Sequence, residues 1–220
     1  METSEVICAV STAPGIGAIA VLRMSGTGCI ALTDRIFESP SGKKLTGAKA
    51  NTVHFGRILE EGCLLDEVLV TIFHAPHSFT GEESVEIACH GSLYIQQRLL
   101  QLLVNQGARM ATPGEFTQRA FLNGKMDLSQ AEAVADLIAS SSAASHRMAL
   151  KQMKGGFSAE LMKLRGELLH ITSLLELELD FSEEDVEFAD RSELRRIAGN
   201  IDELLTRLCR SFSLGNVIKN

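Results

Sequence analysis

Short apolar segments rich in β-branched residues, separated by turns, predict strands in the first half of the chain. Four segments have this pattern: 5–11, 18–24, 67–73 and 84–90. The segment 92–107 instead carries apolar residues at helical spacing and ends at a glycine, which favours a helix. Strands mixed with a helix predict an α+β domain over residues 1–118.

Helical periodicity dominates the rest of the chain, which predicts an all-α domain over residues 119–220. Asp127 and Ser129 each offer an N-cap for its first helix, and Ser129 with Glu132 fits a capping box. This helix is expected to continue to the neighbourhood of Lys154, through a middle part made of small side chains.

Two later apolar stripes with 3-4-3-4 spacing are expected to pack as an antiparallel helix pair. The stripes are Leu161, Leu164, Leu168, Ile171 and Leu175, then Leu194, Ile197, Ile201, Leu204 and Leu208. The segment between them, 176–190, holds eight acidic residues among fifteen and is interpreted as a solvated turn. A docking surface for a basic partner and a weak divalent-ion site are the alternatives. The end of the chain fits either a three-helix unit or an unfinished helical domain.

Composition narrows the class of protein. Hydrophobic residues make up 45% of the chain and aromatic residues 5%, without tryptophan, so the core is expected to be aliphatic. A net charge of −7 argues against bulk attraction to nucleic acid, which leaves only a local basic patch for that purpose. Five cysteines without a CxxC pair indicate reduced thiols in a cytoplasmic protein. No signal peptide or membrane-spanning run is visible, so no membrane partner is expected.

The glycine-rich stretch APGIGAIAVLRMSG, residues 13–26, is interpreted as a turn between two strands. A dinucleotide-binding fingerprint needs a helix after such a loop, and a strand is predicted here. The GxxxxGK[ST] pattern of a P-loop does not occur in the 220 residues, which predicts that they do not hydrolyse nucleotides by themselves. Alternatively, backbone N–H groups of the loop and the side chain of Arg23 could meet an anionic ligand.

Histidines and cysteines give no convincing catalytic or metal site. His74 and His77 lie in a proline-containing turn without an obvious third ligand, so no metal is expected. Cys89 and His90 are neighbours on a predicted strand and should point to opposite faces, which argues against a catalytic pair.

The stretch SFTGEESVEIACHG, residues 78–91, places three carboxylates within five residues. Strand alternation turns Val85 and Ile87 to one face and Glu86 to the other. An exposed strand face is the plain interpretation. The functional alternative is that Glu86 accepts paired N–H donors from a heterocycle, as a carboxylate does from a guanidinium group.

The stretch from residue 111 to residue 125 is predicted to be irregular, because it contains proline, asparagine and glycine. It alternates charged and aromatic residues, among them Glu115, Phe116 and Arg119. A flexible linker needs no such mixture. We therefore expect a segment that is folded onto the domain and used there.

These stretches together resemble the tRNA-modification GTPase family called MnmE or TrmE. The matching motifs, in order, are APGIGAIAVLRMSG, SFTGEESVEIACHG and PGEFTQRAFLNGKMDLSQAEAVADLI, and DFSEED and GNVIKN also look like that family. The resemblance covers essentially the whole chain. It implies an α+β domain similar to the folate-dependent T-protein of glycine cleavage, which binds 5-formyl- or 5,10-methylene-tetrahydrofolate and forms a homodimer. A helical domain interrupted by a Ras-like GTPase domain would follow.

The resemblance also implies a function. With an FAD-dependent partner, MnmG or GidA, the family adds a carboxymethylaminomethyl-type group at C5 of the wobble uridine, U34, of tRNA. GTP, Mg²⁺ and K⁺ act in the GTPase domain. This chain ends where that domain should begin, so it is expected to be part of a longer protein and to lack GTPase activity by itself.

Three folate-contact positions of the family carry over to this chain as Arg23, Glu86 and Lys125. Glu86 suits the ring N–H and amino donors of the pterin, and the two cations suit its carbonyl or the anionic glutamate tail. The irregular run would bring Lys125 to this site. No residue is assigned to chemistry on the one-carbon unit. Ile16 stands where the family loop carries an arginine, so any contact of that arginine with tRNA, partner or folate is lost or supplied elsewhere.

Two alternative functions stay open at this point. A stand-alone one-carbon transferase similar to the T-protein is disfavoured by the helical stripes and the DFSEED stretch. A purely structural dimerisation module without folate binding is kept open by Ile16.

Overall fold

The computed structural model of the chain describes residues 5–180, 192 and 195–206. The chain divides into two compact units, Met1–Val134 and Ala135–Asn220. The first contains a seven-stranded sheet and helices, and the described part of the second is helical. The predicted α+β class is thus confirmed, while the predicted boundary after residue 118 stays a prediction.

Strands and helices alternate irregularly in the first half of the chain, and helices alone follow. The strands are β1 Ile7–Val10, β2 Ile19–Ser25, β3 Phe37–Glu38, β4 Thr52–Glu60, β5 Cys63–Phe73, β6 Ser84–His90 and β7 Arg109–Met110. The helices are α1 Cys29–Thr33, α2 Leu93–Asn105, α3 Glu115–Leu122, α4 Leu128–Ala139, α5 Ala143–Met153 and α6 Gly156–Asp180. Residues 195–206 are also helical.

The sheet has the strand order β3-β4-β5-β6-β2-β1-β7. Neighbouring strands are antiparallel, except that β7 runs parallel to β1. The glycine-rich stretch forms the turn between β1 and β2, as predicted. The four predicted strands are all present, and the nine-residue β4 is an addition to them.

One face of the sheet is buried by α1 and α2. Leu22 and Met24 of β2 and Ile87 of β6 are fully buried there, together with Leu99 and Leu103 of α2. Burying each such side chain stabilises the fold by about 1.5–3 kcal/mol. This alternation confirms the prediction that Ile87 and Glu86 point to opposite faces.

The opposite face of the sheet, called here the open face, carries exposed apolar side chains. Phe55, Leu69, Ala88 and Val21 are directly paired from strand to strand and form one row across β4, β5, β6 and β2. Phe55 is 50% exposed and Leu69 is 47% exposed. These side chains form a contiguous exposed apolar row on the sheet.

The predicted helix from Asp127 to Lys154 is wrong, because the chain breaks at 140–142 into α4 and α5. Ser142 caps α5: its hydroxyl accepts the backbone N–H of Ser145 at 3.1 Å, and the Ser145 hydroxyl accepts the N–H of Ser142. Serine side chains compete with helical hydrogen bonding in this way and favour caps over helix interiors.

The capping box at the start of α4 lies two residues earlier than predicted. Asp127 accepts the backbone N–H of Gln130 at 2.8 Å, and the Gln130 side chain accepts the N–H of Asp127 at 2.9 Å. Ser129 lies inside the helix, because α4 begins at Leu128. The predicted type of cap is therefore present, because Asp127 with Gln130 makes the two reciprocal side chain–backbone hydrogen bonds of a capping box.

The prediction of an irregular run before residue 125 is also wrong, because α3 occupies Glu115–Leu122. Gly114 precedes α3 in a left-handed conformation with φ of 79°, which lets the chain turn sharply into the helix. The segment is therefore folded onto the first unit, as expected, but as a helix.

In the second unit the two predicted stripes contact each other. Leu164, Ile197 and Ile201 form a buried cluster, with Ile171 and Leu204 packed against it. α6 continues to Asp180, so the first five residues of the acidic segment are helical rather than a turn. Its remainder at 181–190 lies outside the described residues, as do Leu194, Leu208, Cys209, most of DFSEED and the whole of GNVIKN. No helix of the described residues is both long enough and apolar enough to cross a membrane.

Candidate functional site

Arg23 and Glu86 lie side by side on the open face. They are direct partners in the register of β2 and β6. Both Nε and Nη2 of Arg23 donate to the same oxygen, Oε1 of Glu86, at 2.9 and 2.7 Å. Each side chain keeps 29% of its surface exposed, so a ligand can reach the pair.

The ion pair leaves hydrogen-bonding capacity unused. Neither the second carboxylate oxygen of Glu86, Oε2, nor Nη1 of Arg23 has a hydrogen bond within the described part of the chain. Glu86 can therefore accept N–H donors while Arg23 donates to an oxygen beside it. The sequence predicted a Glu86 carboxylate that accepts paired N–H donors, and the structure leaves one of its two oxygens, Oε2, available for them.

Two phenylalanine rings border the Arg23 guanidinium. Its carbon Cζ lies 5.4 Å from the ring centroid of Phe79 and 5.8 Å from that of Phe116. Both distances fall within the range of cation–π attraction, which contributes about 0.5–1 kcal/mol at exposed sites. Phe79 comes from the 74–83 loop between β5 and β6, and Phe116 comes from α3. Apolar walls around a few polar groups are typical of ligand sites.

The three neighbouring carboxylates have separate partners. Glu82 accepts a hydrogen bond from the Ser25 hydroxyl at 2.7 Å and pairs with Arg119. Glu83 accepts the backbone N–H of Gly28 at 2.9 Å. Glu86 thus provides the carboxylate on the open face of the sheet, while Glu82 and Glu83 connect the 74–83 loop to the rest of the unit.

Arg119 of α3 is buried, with 1% of its side chain exposed. Its Nη1 donates to Glu82 at 3.1 Å and to the backbone oxygen of Glu5 at 3.0 Å, and its Nη2 donates to Glu115 at 3.2 Å. Arg109 also donates two hydrogen bonds to Glu115. These bonds hold α3 against β1, β7 and the 74–83 loop.

Arg109 is also the main cause of a low pKa in this network. Its hydrogen bonds lower the pKa of Glu115 from the ordinary 4.5 to about 2. Burial of the carboxyl group opposes this shift, while hydrogen bonds from Thr112 and Arg119 add to it. Glu115 therefore stays ionised at every physiological pH.

Lys125 is held against the 74–83 loop. Its Nζ donates to the backbone oxygen of Pro76 at 3.0 Å. Its stem packs on Gly81, where an added Cβ would lie 3.2 Å from Lys125 Cγ. Gly81 has φ of +80°, so both its conformation and this close approach favour glycine. No hydrogen bond joins Lys125 to Arg23 or Glu86 in the described residues, so the structure brings two of the three predicted residues into direct contact.

Other candidate groups lie apart from this site. Ile16 is 84% exposed at the turn between β1 and β2. His74 Nε2 hydrogen-bonds to the backbone oxygen of Ala48 at 3.0 Å. Cys89 is buried and His90 is exposed, which confirms that they point to opposite faces, and His90 Nδ1 instead pairs with Asp66 at 2.7 Å. A search of the described residues finds no group of three or more His, Cys, Asp or Glu that could hold a metal ion.

Three of the described cysteines are buried, and burial disfavours their thiolate form. It raises the pKa of Cys8 and of Cys89 to about 11, and raises that of Cys29 further. These thiols and the exposed Cys63 are free. Reduced, mostly buried thiols were expected from the sequence.

A separate groove of about 320 Å³ lies where α2 meets the turn between β1 and β2. It is lined by Val10, Thr12, Pro14, Gly15, Leu93, Gln96, Gln97 and Leu100. None of the three predicted site residues lines it.

Sequence reasoning did not assign Phe79, Glu82 or Arg119 a place in the site. The alternation of charged and aromatic residues in α3 was the available signal, because it placed Phe116 and Arg119 in a segment that is folded down. Which of them would meet Arg23 depends on contacts between residues far apart in the chain.

Comparison with known families matches both halves of the chain. Residues 6–125 match the family model described as the GTP-binding protein TrmE N-terminus, and residues 128–220 match the MnmE helical domain. Among relatives, the protein named tRNA modification GTPase MnmE of Bacteroides fragilis is 64% identical over 217 residues, which are 98% of this chain and 46% of that protein. That of Bacteroides thetaiotaomicron is 62% identical over the same shares.

A protein of the same name from Flavobacterium johnsoniae is 56% identical over 220 residues, which are 100% of this chain and 47% of that protein. The chain thus spans about half the length of the curated relatives that it matches. Family models cover the sheet unit, the candidate site and the helical unit alike. The chain belongs to the MnmE (TrmE) family.

Proposed function

We propose that this chain is the folate-binding and dimerisation part of a cytoplasmic tRNA modification GTPase. The complete protein would work with an FAD-dependent partner, MnmG. Together they would add a carboxymethylaminomethyl-type group at C5 of U34 in tRNA, using a tetrahydrofolate one-carbon unit. The observation that carries the proposal is the partly exposed Arg23–Glu86 pair, with one free acceptor and one free donor beside two aromatic rings.

The residues present fit a reduced pterin. Glu86 Oε2 would accept the ring N–H and amino donors, and Arg23 Nη1 would donate to the carbonyl oxygen. The exposed ring of Phe79 would supply apolar contact with the heterocycle. Lys125, at the other side of the same loop, would attract the anionic glutamate tail. The folate, either 5-formyl- or 5,10-methylene-tetrahydrofolate, would supply the one-carbon unit.

GTP, Mg²⁺ and K⁺ would bind outside these 220 residues. The sequence contains no P-loop pattern, while the relatives about twice its length are named GTPases. The match of residues 128–220 to the MnmE helical domain counts against a stand-alone one-carbon transferase.

A homodimer is the second part of the proposal. The apolar row on the open face, which includes Phe55 and Leu69, would be covered by a second copy of the chain. Its exposed side chains are large, aliphatic or aromatic, and such residues dominate the buried centres of homodimer interfaces.

The folate proposal is tested by calorimetric titration of the chain with 5-formyltetrahydrofolate, beside Glu86→Gln. The variant keeps the shape of the side chain and loses the charge that the donors need. Loss of a charge-assisted hydrogen-bond partner should weaken binding by roughly 1.5–3 kcal/mol, which is about ten- to a hundred-fold in the dissociation constant.

Glu67→Gln is the matched control. Glu67 lies on β5 and, like Glu86, forms a cross-strand pair with an arginine, Arg57, at 3.3 Å. Both side chains of this pair are about half exposed, and the ring contacts found among the described residues involve Arg23 and not Arg57. The replacement should leave folate binding unchanged. No saturable binding by the folded, unmutated chain would contradict the proposal and leave the dimerisation module as the better description.

A further inference from the structure

Two separate segments supply the rings at Arg23, and one buried ion pair joins those segments. Phe79 precedes Glu82 by three residues in the 74–83 loop, and Phe116 precedes Arg119 by three residues in α3. Arg119 Nη1 donates to both oxygens of Glu82, at 3.1 and 3.4 Å. The side chains are 1% and 14% exposed. A contact shielded from water thus joins the two segments that carry the rings.

Stability alone is a poor explanation for this pair. Taking two charges out of water costs about as much as their attraction returns, so buried ion pairs contribute little net stability. In addition, the buried Nε–H of Arg119 has no hydrogen-bond partner among the described residues, which costs further free energy. The planar guanidinium group of Arg119 instead fixes geometry, because it donates in fixed directions to Glu82, to Glu115 and to the backbone oxygen of Glu5.

The same cluster is anchored to the strand that carries Arg23. Ser25, two residues along β2 and on the same face, donates to Glu82 at 2.7 Å and lies 2.6 Å from the hydroxyl of Thr80. Asn123, directly after α3, donates to the backbone oxygen of Thr80 at 2.8 Å. Hydrogen bonds thus connect the 74–83 loop both to α3 and to the end of β2 at Ser25, two residues from Arg23.

We propose that Arg119 is a positioning residue for the ligand site. Through Glu82 it sets α3 and the 74–83 loop so that Phe116 and Phe79 hold the Arg23 guanidinium, which in turn orients Glu86. The role in ligand binding rests on the proposed function, that Arg23 and Glu86 bind a folate. The positioning itself can be measured without any ligand.

The first measurement is the ¹H–¹⁵N signal of Arg23 Nε–H in the labelled chain, assigned by its absence in Arg23→Lys. Nearby aromatic rings displace such a signal. The test variant is Arg119→Met with Glu82→Gln, which removes the ion pair without leaving a buried charge unpaired. We expect the signal to move toward the position of a free arginine, well below the temperature at which the variant unfolds.

A matched control comes from the Arg–Glu pair that joins β7 to α3, Arg109 with Glu115. Arg109→Met with Glu115→Gln removes a pair of similar size, keeps an acceptor for Arg119, and leaves the contact between α3 and the 74–83 loop in place. It should lower stability and leave the Arg23 signal unchanged. Arg119→Lys serves as a milder variant, because it keeps the positive charge opposite Glu82 and loses the planar guanidinium group. Its Arg23 signal should lie between those of the unmutated chain and of the Arg119 and Glu82 double variant.

The second measurement is titration of the same variants with 5-formyltetrahydrofolate. A misplaced Arg23 and Glu86 should raise the dissociation constant about tenfold in the Arg119 and Glu82 double variant, and not in the control pair. An unmoved Arg23 signal would overturn the positioning role. A moved signal with unchanged folate affinity would overturn its part in binding. Absence of folate binding in the unmutated chain would overturn the proposed function, while the signal still decides whether Arg119 sets the rings.

Discussion

Glu86 divides its two oxygens between the protein and the solvent. Arg23 binds Oε1 through two donors, and Oε2 keeps its capacity to accept a ligand's donors. This arrangement fixes the carboxylate in one orientation before any ligand arrives. A preorganised acceptor loses less rotamer entropy on binding than a mobile one. At the scale of single residues, the site therefore contains an ion pair in which the fold occupies one oxygen of the Glu86 carboxylate and leaves the other available to a ligand.

Glu115 allows a pH test of the charge network behind this site. A carboxyl group whose pKa is lower in the folded chain than in the unfolded chain stabilises the fold above its unfolded pKa. This stabilisation is lost as the pH falls from about 4.5 toward about 2, the two pKa values of Glu115. Its full contribution is of the order of 2 kcal/mol.

We expect Glu115→Gln to lower the free energy of urea unfolding at pH 7 and to differ less from the unmutated chain at pH 3. The glutamine side chain does not titrate, so the variant lacks the contribution of Glu115 to the pH dependence of the free energy of unfolding. Glu38→Gln, at an exposed carboxylate, is the control and should follow the unmutated chain throughout. A stability difference for Glu115→Gln that is the same at both pH values would contradict the assignment.

At the scale of elements, short polar residues decide where helices begin. α4 and α5 are separated by three serines, and Ser142 replaces the missing helical partner of Ser145 N–H with its own hydroxyl. The sequence shows the serines but not which of them caps, because each can also remain inside a helix when tertiary packing favours it. Of the two N-cap candidates that the sequence offered for α4, Asp127 caps the helix and Ser129 lies inside it.

Ser142→Ala should lower the free energy of unfolding by about 1 kcal/mol, because α5 loses its N-cap. Chemical unfolding of the variant beside Ser141→Ala measures this. Ser141 is the adjacent exposed serine and makes no side-chain hydrogen bond within the described residues, so its replacement should have little effect. Equal losses in the two variants would show that the break between α4 and α5 does not depend on this cap.

At the scale of the whole molecule, the open face is the surface through which the proposed homodimer would form. Its apolar row crosses four strands. The ligand site lies beside this row, because Glu86 is two residues from Ala88 on β6 and pairs with Thr71, which is two residues from Leu69 on β5. A second copy covering the row would also come near the candidate ligand. Dimerisation and folate binding are thus expected to influence each other.

Leu69→Glu should convert the proposed dimer to a monomer, or raise its dissociation constant at least about tenfold, because it buries a charge without a partner in the interface. Sedimentation velocity over a range of concentrations measures this. Tyr94→Glu is the control, since Tyr94 is 63% exposed on α2, which packs on the other face of the sheet. A strictly monomeric unmutated chain at all concentrations would rule out the homodimer.

Local pattern along the chain was sufficient for part of this description. Alternation along β6 assigned Glu86 to the face opposite Val85 and Ile87, and 3-4-3-4 spacing assigned the packed faces of the later helices. The order and content of the motifs were enough to identify the family. These inferences succeeded because periodicity and turn chemistry act over a few residues.

Contacts between residues distant in the chain account for the rest. β4 was not predicted because its exposed and half-buried residues form a strand only in pairing with β5. α3 was not predicted because Pro113 and Asn123 flank a helix of only eight residues. The contact between Arg119 and Glu82 spans 37 positions, and that between Arg23 and Glu86 spans 63. Spacing along the sequence carries no information about such contacts, because they form only when the sheet and α3 pack together. The sequence therefore limits which residues can form the site, and tertiary packing selects those that meet there.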